Sequence, residues 1–232
     1  MYISIYEYTF RYFGVFKTFG NNEREWFFQH KSLYEAAHKN FISFVNEVIN
    51  AFAESYPEIG NLNAKSTLFR IYRDIRFSPN KDAFKINFAA TLVKERKKTV
   101  DRAGYYIHIQ LGNCMLAGDI YIKDKKSLVA IRKKISTDPD EFLKTIENKY
   151  FIDNLIMHGD TLKRVPRGFD EKDPMVAYLK LKEFVIYHAL PDAEVVSPSF
   201  VSKCCKIFKA AKLFNEFINE AIINYYHSEH NN

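Results

Sequence analysis

The hydrophobic period of this chain changes twice, and that change restricts the fold more than any single motif. Leu33, Ala37, Phe41, Phe44, Val45, Val48, Ile49 and Phe52 recur at three- and four-residue steps, the spacing of an amphipathic helix with one buried stripe. From Phe84 the period becomes two. Phe84, Ile86, Phe88, Ala90 and Leu92 alternate with Lys85, Asn87, Ala89 and Thr91, which predicts a half-buried strand. Tyr105, Ile107, Ile109 and Leu111 alternate in the same way with Tyr106, His108 and Gln110, and Gly112-Asn113 turns the chain into Cys114–Ile122. The helical period then returns in Phe200, Val201, Cys204, Ile207, Phe208, Ala211, Phe214, Ile218, Ala221 and Ile222.

Helices at both ends of a run of hairpin-linked strands specify α+β and exclude an alternating βαβ order. The expected architecture is a mainly antiparallel sheet flanked by N-terminal and C-terminal helices. Leu68–Phe77 is read as a strand paired through the turn Ser78-Pro79-Asn80-Lys81-Asp82 to the strand at Phe84. Lys125–Ile135 and Pro139–Glu147 read as helices, the second with Asp138 as cap and Pro139 in its first turn. Asn21-Asn22-Glu23 reads as the cap of a short helix through Trp26, Phe27 and His30. Met175–Leu181 is helix-like and Phe184–Leu190 strand-like. No linker or repeat interrupts the chain. The expected organisation is an N-terminal extension over 1–15, one α+β domain over 16–226 and a frayed tail over 227–232.

Lys plus Arg is 34 against 28 Asp plus Glu, a net charge of +6. The surplus favours anionic partners without choosing among them. Three cysteines exclude a disulfide framework, and reduced thiols point to the cytoplasm. Glu7, Arg11 and Lys17 interrupt the aromatic N-terminal stretch, so no cleaved signal is expected. No apolar run reaches the ~20 residues of a membrane span, so no membrane partner is expected either.

The densest polar signal is Arg70-Ile71-Tyr72-Arg73-Asp74-Ile75-Arg76-Phe77-Ser78-Pro79-Asn80-Lys81. On a strand, Arg70, Tyr72, Asp74 and Arg76 share one face, and Arg73 points the other way with Phe69, Ile71, Ile75 and Phe77. An arginine on an apolar face needs a partner, because an unpaired buried charge costs several kcal/mol. Asp74 lies about 7 Å along the strand from Arg70 and from Arg76. It can orient one guanidinium and leave the other for a ligand. Guanidinium forks match phosphate and carboxylate oxygens. Two readings stay open: an anion site, or an internal ion-pair network.

Arg-x-x-Arg-Asp-x-Arg-Phe followed by Asn-Lys (Arg70, Arg73, Asp74, Arg76, Phe77, Asn80 and Lys81) resembles the signature of the domain-of-unknown-function family 2461, bacterial conserved hypothetical proteins. Asn21-Asn22 with Trp26-Phe27, Phe84-Lys85-Ile86-Asn87, Gly104-Tyr105-Tyr106 and Leu162-Lys163-Arg164-Val165-Pro166-Arg167-Gly168-Phe169-Asp170 resemble further family motifs. Two positions depart. Phe84 stands where members usually carry Tyr, and Asp173 stands before Pro174 where they often carry His. The resemblance implies a fold family and no particular chemistry.

In the loop after Leu162, Pro166 and Gly168 restrain Lys163, Arg164 and Arg167. If it packs beside the Arg70 segment, the two form a cationic pocket. Otherwise it is a surface loop whose long stems cover apolar surface. The expected site is therefore Arg70, Arg73, Asp74, Arg76, Lys81, Lys85, Asn87, His108, Lys163, Arg164 and Arg167, binding a small phosphorylated or carboxylated ligand. The alternatives are a nucleic-acid or protein interaction module, with basic runs at Lys94–Arg102 and Lys123–Lys134, and a purely architectural arginine network. No spacing indicates a metal site, a dinucleotide fingerprint or a phosphate loop, and no cofactor or reaction is implied.

Overall fold

The computed structural model describes residues 24–76, 79, 81–93, 102–119 and 125–230. The expected cap at Asn21–Glu23, the turn residues Ser78 and Asn80, Phe77, most of the basic run from Lys94 and the start of the one from Lys123 lie outside them. The described elements in chain order are α1 (Arg24–Gln29), α2 (Lys31–Ala53), a 3-10 turn (Pro57–Ile59), α3 (Ala64–Thr67), β1 (Phe88–Leu92), β2 (Gly104–Ile109), β3 (Cys114–Asp119), α4 (Lys125–Thr137), α5 (Pro139–Ile146), α6 (Lys149–Asn154), β4 (Ile156–His158), α7 (Val176–Leu179), β5 (Val185–Leu190), α8 (Asp192–Val195) and α9 (Phe200–His230). The strands form an antiparallel sheet in the order β1-β2-β3-β5-β4. The fold is α+β, as the two changes of period require.

By their own contacts the described residues fall into two compact units. The first holds α1 to α3, the segment from Thr67 to Leu92, residues 106–116 and residues 189–206. Its core is the predicted stripe of α2, where Ala37, Phe41, Phe44, Val45, Val48, Ile49 and Phe52 are all buried. Each large side chain among them contributes roughly 1.5–3 kcal/mol of transfer free energy. Phe41 stacks on Phe88 at 5.3 Å, and Phe44 lies parallel to Phe200 at 5.0 Å. Leu33, the first residue of the stripe, is exposed because it sits in the opening turn of the helix.

The second unit holds Val93, residues 102–105 and, as far as described, 117–188 and 207–230. Phe142 is its aromatic centre, 4.9 Å from Tyr178 and 5.4 Å from Phe217. Lys134 ties α4 to α5 and α9 through Glu141 at 2.9 Å and Glu220 at 3.0 Å. In the register of β4 on β5, Met157 faces Ile186.

Several local expectations are corrected. The described residues of the expected strand, 68–76, form no regular strand. They pair with the next segment only through the bridges Leu68↔Ala90 and Tyr72↔Phe84. The pairing shifts by two residues between these bridges, and neither extends into a ladder that would hold the alternation. Ile71 is buried, but Phe69, on its predicted face, is 40% exposed. Ile86 precedes the start of β1 and is likewise exposed. Leu111 lies in the β2–β3 turn, where Gly112 takes φ +71°, and is also exposed. Asp138 occupies the cap position of α5, but its carboxylate does not cap the helix. It accepts from the Thr137 hydroxyl instead, at 3.2 Å. The short elements α6 and β4 have no counterpart among the expected ones.

Candidate functional site

The arginine segment divides into a lock and a remainder. Asp74 accepts from Arg76 Nε at 2.9 Å and Nη2 at 2.6 Å, and from the Arg76 backbone N–H at 3.3 Å. These bonds, with the side-chain ones foremost, hold the Asp74 carboxyl down at about 2. Arg73, the cation that needed a partner, finds it in Asp82 at 3.6 Å. The pair is reached because the hairpin brings residue 73 beside residue 83, with Arg73 N–H donating to Ala83 C=O at 3.0 Å. Lys81 Nζ donates to the Ile75 carbonyl at 3.1 Å. Arg73, Asp74, Arg76 and Lys81 thus brace the hairpin through bonds to its own backbone and acids.

Arg70 is not part of the lock. Among the described residues its side chain makes no ion pair and no hydrogen bond, and its charge is felt at Asp74 and at Lys85. Lys85 Nζ lies 5.0 Å from the centroid of the Phe69 ring, a cation–π contact. Burial, and after it the Arg70 guanidinium, lower the Lys85 pKa below the ordinary lysine value. Lys85 also makes no ion pair with a described carboxylate. Lys85 is half-buried and Arg70 exposed, and among the described residues neither makes an ion pair with an acid.

Beside them is a polar network on the outer side of β2. Residues 106, 108 and 110 share one side of that strand by its period of two. His108 Nδ1 lies 3.0 Å from Tyr106 Oη and 3.1 Å from Asn87 Nδ2, and His108 Nε2 lies 3.3 Å from Gln110 Oε1. The Asn87 amide and the Tyr106 hydroxyl donate to the Nδ1 lone pair, and Nε2–H donates to Gln110. Burial lowers the His108 pKa, Gln110 opposes the shift, and the Lys85 charge adds to it. The imidazole is neutral at pH 7 and fixes the direction of the Tyr106 hydroxyl. Phe69 meets Tyr106 edge-on at 6.0 Å and closes the cluster.

Of the expected site residues, Arg70, Lys85, Asn87 and His108 come together in the first unit. Arg73, Asp74, Arg76 and Lys81 form the adjoining lock. Lys163, Arg164 and Arg167 belong to the second unit. They are exposed, on a loop opened by the bridge Thr161↔Leu181 and bent at Gly168 with φ +91°. The residues not foreseen as part of the site are Phe69, Tyr106, Gln110 and Asp82. Tyr106 and Gln110 carried a signal, since they alternate with His108. Asp82 carried none, because only the hairpin brings it to Arg73.

Among the described residues no group of three His, Cys, Asp or Glu is placed to hold a metal ion. No described helix is long and apolar enough to cross a membrane. Burial, the largest cause, drives the Cys114 thiol up to about 12 and Cys204 well above its ordinary value, so neither supplies a thiolate nucleophile at neutral pH.

The family profile described as "Conserved hypothetical protein (DUF2461)" matches residues 9–217. No curated protein matches the chain, and no solved structure does.

Proposed function

We propose, for a chain that belongs to the DUF2461 family of conserved hypothetical proteins, that the first unit binds a small oxyanion, phosphorylated or carboxylated, between Arg70 and Lys85. The observation that carries this reading is that Arg70 and Lys85, close enough for the charge of one to be felt at the other, make no ion pair with a described carboxylate. Placing like charges together raises the energy of the unliganded protein, and an anion between them removes that cost. Asn87, turned by its bond to His108, keeps its amide carbonyl and second N–H for the ligand. Neutral His108 and the oriented Tyr106 hydroxyl form a proton-handling pair beside the anion. Unbridged thiols, two of the three buried, fit a cytoplasmic setting.

Calorimetric titration with inorganic phosphate and with malonate tests the reading. Saturable binding of either is expected, weakened at least tenfold in Lys85→Met and in Arg70→Met. Equal binding in both variants, or no binding by the wild type, contradicts it.

A second reading rests on exposed rings beside these cations. Phe69 is 40% and Tyr72 50% exposed, and such rings can stack bases of a single strand. Filter binding of an oligonucleotide at rising salt separates the two. Affinity that falls steeply with salt favours the strand, and no retention at low salt removes it.

A further inference from the structure

In the second unit one described cation is buried. Arg132, on α4, is 5% exposed. Its Nη2 donates to the Leu181 carbonyl at 2.6 Å, and its Nε is sealed from solvent without a partner. Among the described residues no carboxylate pairs with it. A guanidinium carries a full charge and five N–H donors, and one neutral carbonyl answers neither. Burying such a charge uncompensated costs several kcal/mol. A water molecule can satisfy an N–H but not the charge.

The chain beside Arg132 carries charges of both signs. Leu181, which takes the Arg132 bond, closes the loop that begins at Thr161, with Leu162 N–H donating to Lys180 C=O at 2.7 Å and Lys182 N–H to Asp160 C=O at 2.8 Å. Lys163 follows the bridge by two residues, about 7 Å along the chain, and makes no ion pair with a described residue. Among the described residues no acid of the same loop, Asp170, Glu171 or Asp173, makes an ion pair with Arg132. Asp170 accepts from Lys172 N–H at 2.9 Å. Asp173 takes the Ser136 hydroxyl, one helical turn beyond Arg132 on α4, and the Met175 N–H at 2.7 Å.

We propose that Arg132 is the floor of a second oxyanion site, in the second unit, taking a phosphate or carboxylate group on its unused N–H donors with Lys163 at the rim. The site does not depend on Arg70 and Lys85, and it gives the basic loop at residues 163–167 a ligand of its own.

The test is the side-chain Nε–H signal of Arg132 in ¹⁵N-labelled full-length protein, assigned by its loss in Arg132→Lys. Inorganic phosphate is titrated in one arm and malonate in the other, at constant ionic strength, and the more effective arm identifies the ligand class. A saturable shift is expected in the wild type and also in Lys85→Met, where the first site is gone. No shift in either arm overturns the proposal. A shift that disappears in Lys85→Met also overturns it, because the signal then reports the first site at second hand. As a second measurement, the phosphate-dependent rise in Tm that remains in Lys85→Met is expected to vanish when Arg132→Lys is added, and its persistence contradicts the assignment. Should the double variant not fold, the wild-type and Lys85→Met titrations decide alone.

Discussion

Asp74 holds Arg76, two residues further along the chain, in a two-pronged pair at 2.9 and 2.6 Å. That pairing commits the one acid of the segment and leaves Arg70 without an ion pair. The positive potential around Lys85 follows from it.

Asp74→Asn should strengthen anion binding by about two- to fivefold, the scale of one exposed charge. Because Asp74 is depressed to about 2, its contribution to stability is present above the unfolded carboxyl value near 4. It is lost as pH falls through about 2. The carboxyl resonance of Asp74, followed by NMR in low salt, should titrate there. A midpoint near 4 would mean the pair does not persist in solution.

His108 titrates with the opposite chemistry. Its folded pKa is lowered, so its stabilisation is complete above the unfolded value near 6.5 and is lost as pH falls through the folded one. Protonation removes the lone pair that Asn87 and Tyr106 share. Tyr106→Phe deletes one of these bonds and should cost about 1 kcal/mol. Urea unfolding across pH 5–8 should show the His108 step in the wild type and not in His108→Gln.

Gly118→Ala tests packing in the second unit. A methyl group there meets Ile186 side-chain atoms at 2.9 Å and Asn215 Oδ1 at 3.0 Å. Asn215 is buried and anchored to the Gly104 carbonyl at 2.9 Å, so it has little freedom to retreat. The expected cost is about 1–3 kcal/mol, measured by chemical denaturation, and an unchanged midpoint would show that the neighbours give way.

Lys134→Met removes the hub between α4, α5 and α9. Burial lowers the Lys134 pKa, but the hydrogen bonds to Glu141 and Glu220 reverse this and leave it raised. Its contribution is therefore present at neutral pH and is lost as pH rises through the folded lysine value. The glutamates are about half exposed, so the expected loss is only about 1 kcal/mol. A neutral result in thermal denaturation would show that the Phe217 contact, 5.0 Å from Nζ, is replaced by the methionine.

The sequence carried the fold class clearly, because α2 and α9 keep the helical period over many turns and β1 and β2 keep a period of two. It carried half of the candidate site. Asp74 does orient one guanidinium, and His108 does share its face with Tyr106 and Gln110. Alternation misplaced Phe69, because the segment is held only by isolated bridges at residues 68 and 72, and no continuous ladder fixes residue 69 to one face. Asp82 as the partner of Arg73 was not legible, since hairpin pairing and not spacing joins them. Arg132 was hidden for a related reason. In a run rich in Lys it reads as one more solvated cation, and only the fold shows it buried.

The Lys85 ammonium tests the central claim most directly. Burial and the Arg70 charge lower its pKa in the free protein, and the Cε–H resonances would report it. Saturating phosphate should raise it, and Arg70→Met should raise it in the absence of any ligand. An unchanged Lys85 titration with phosphate present would contradict an oxyanion held between the two cations.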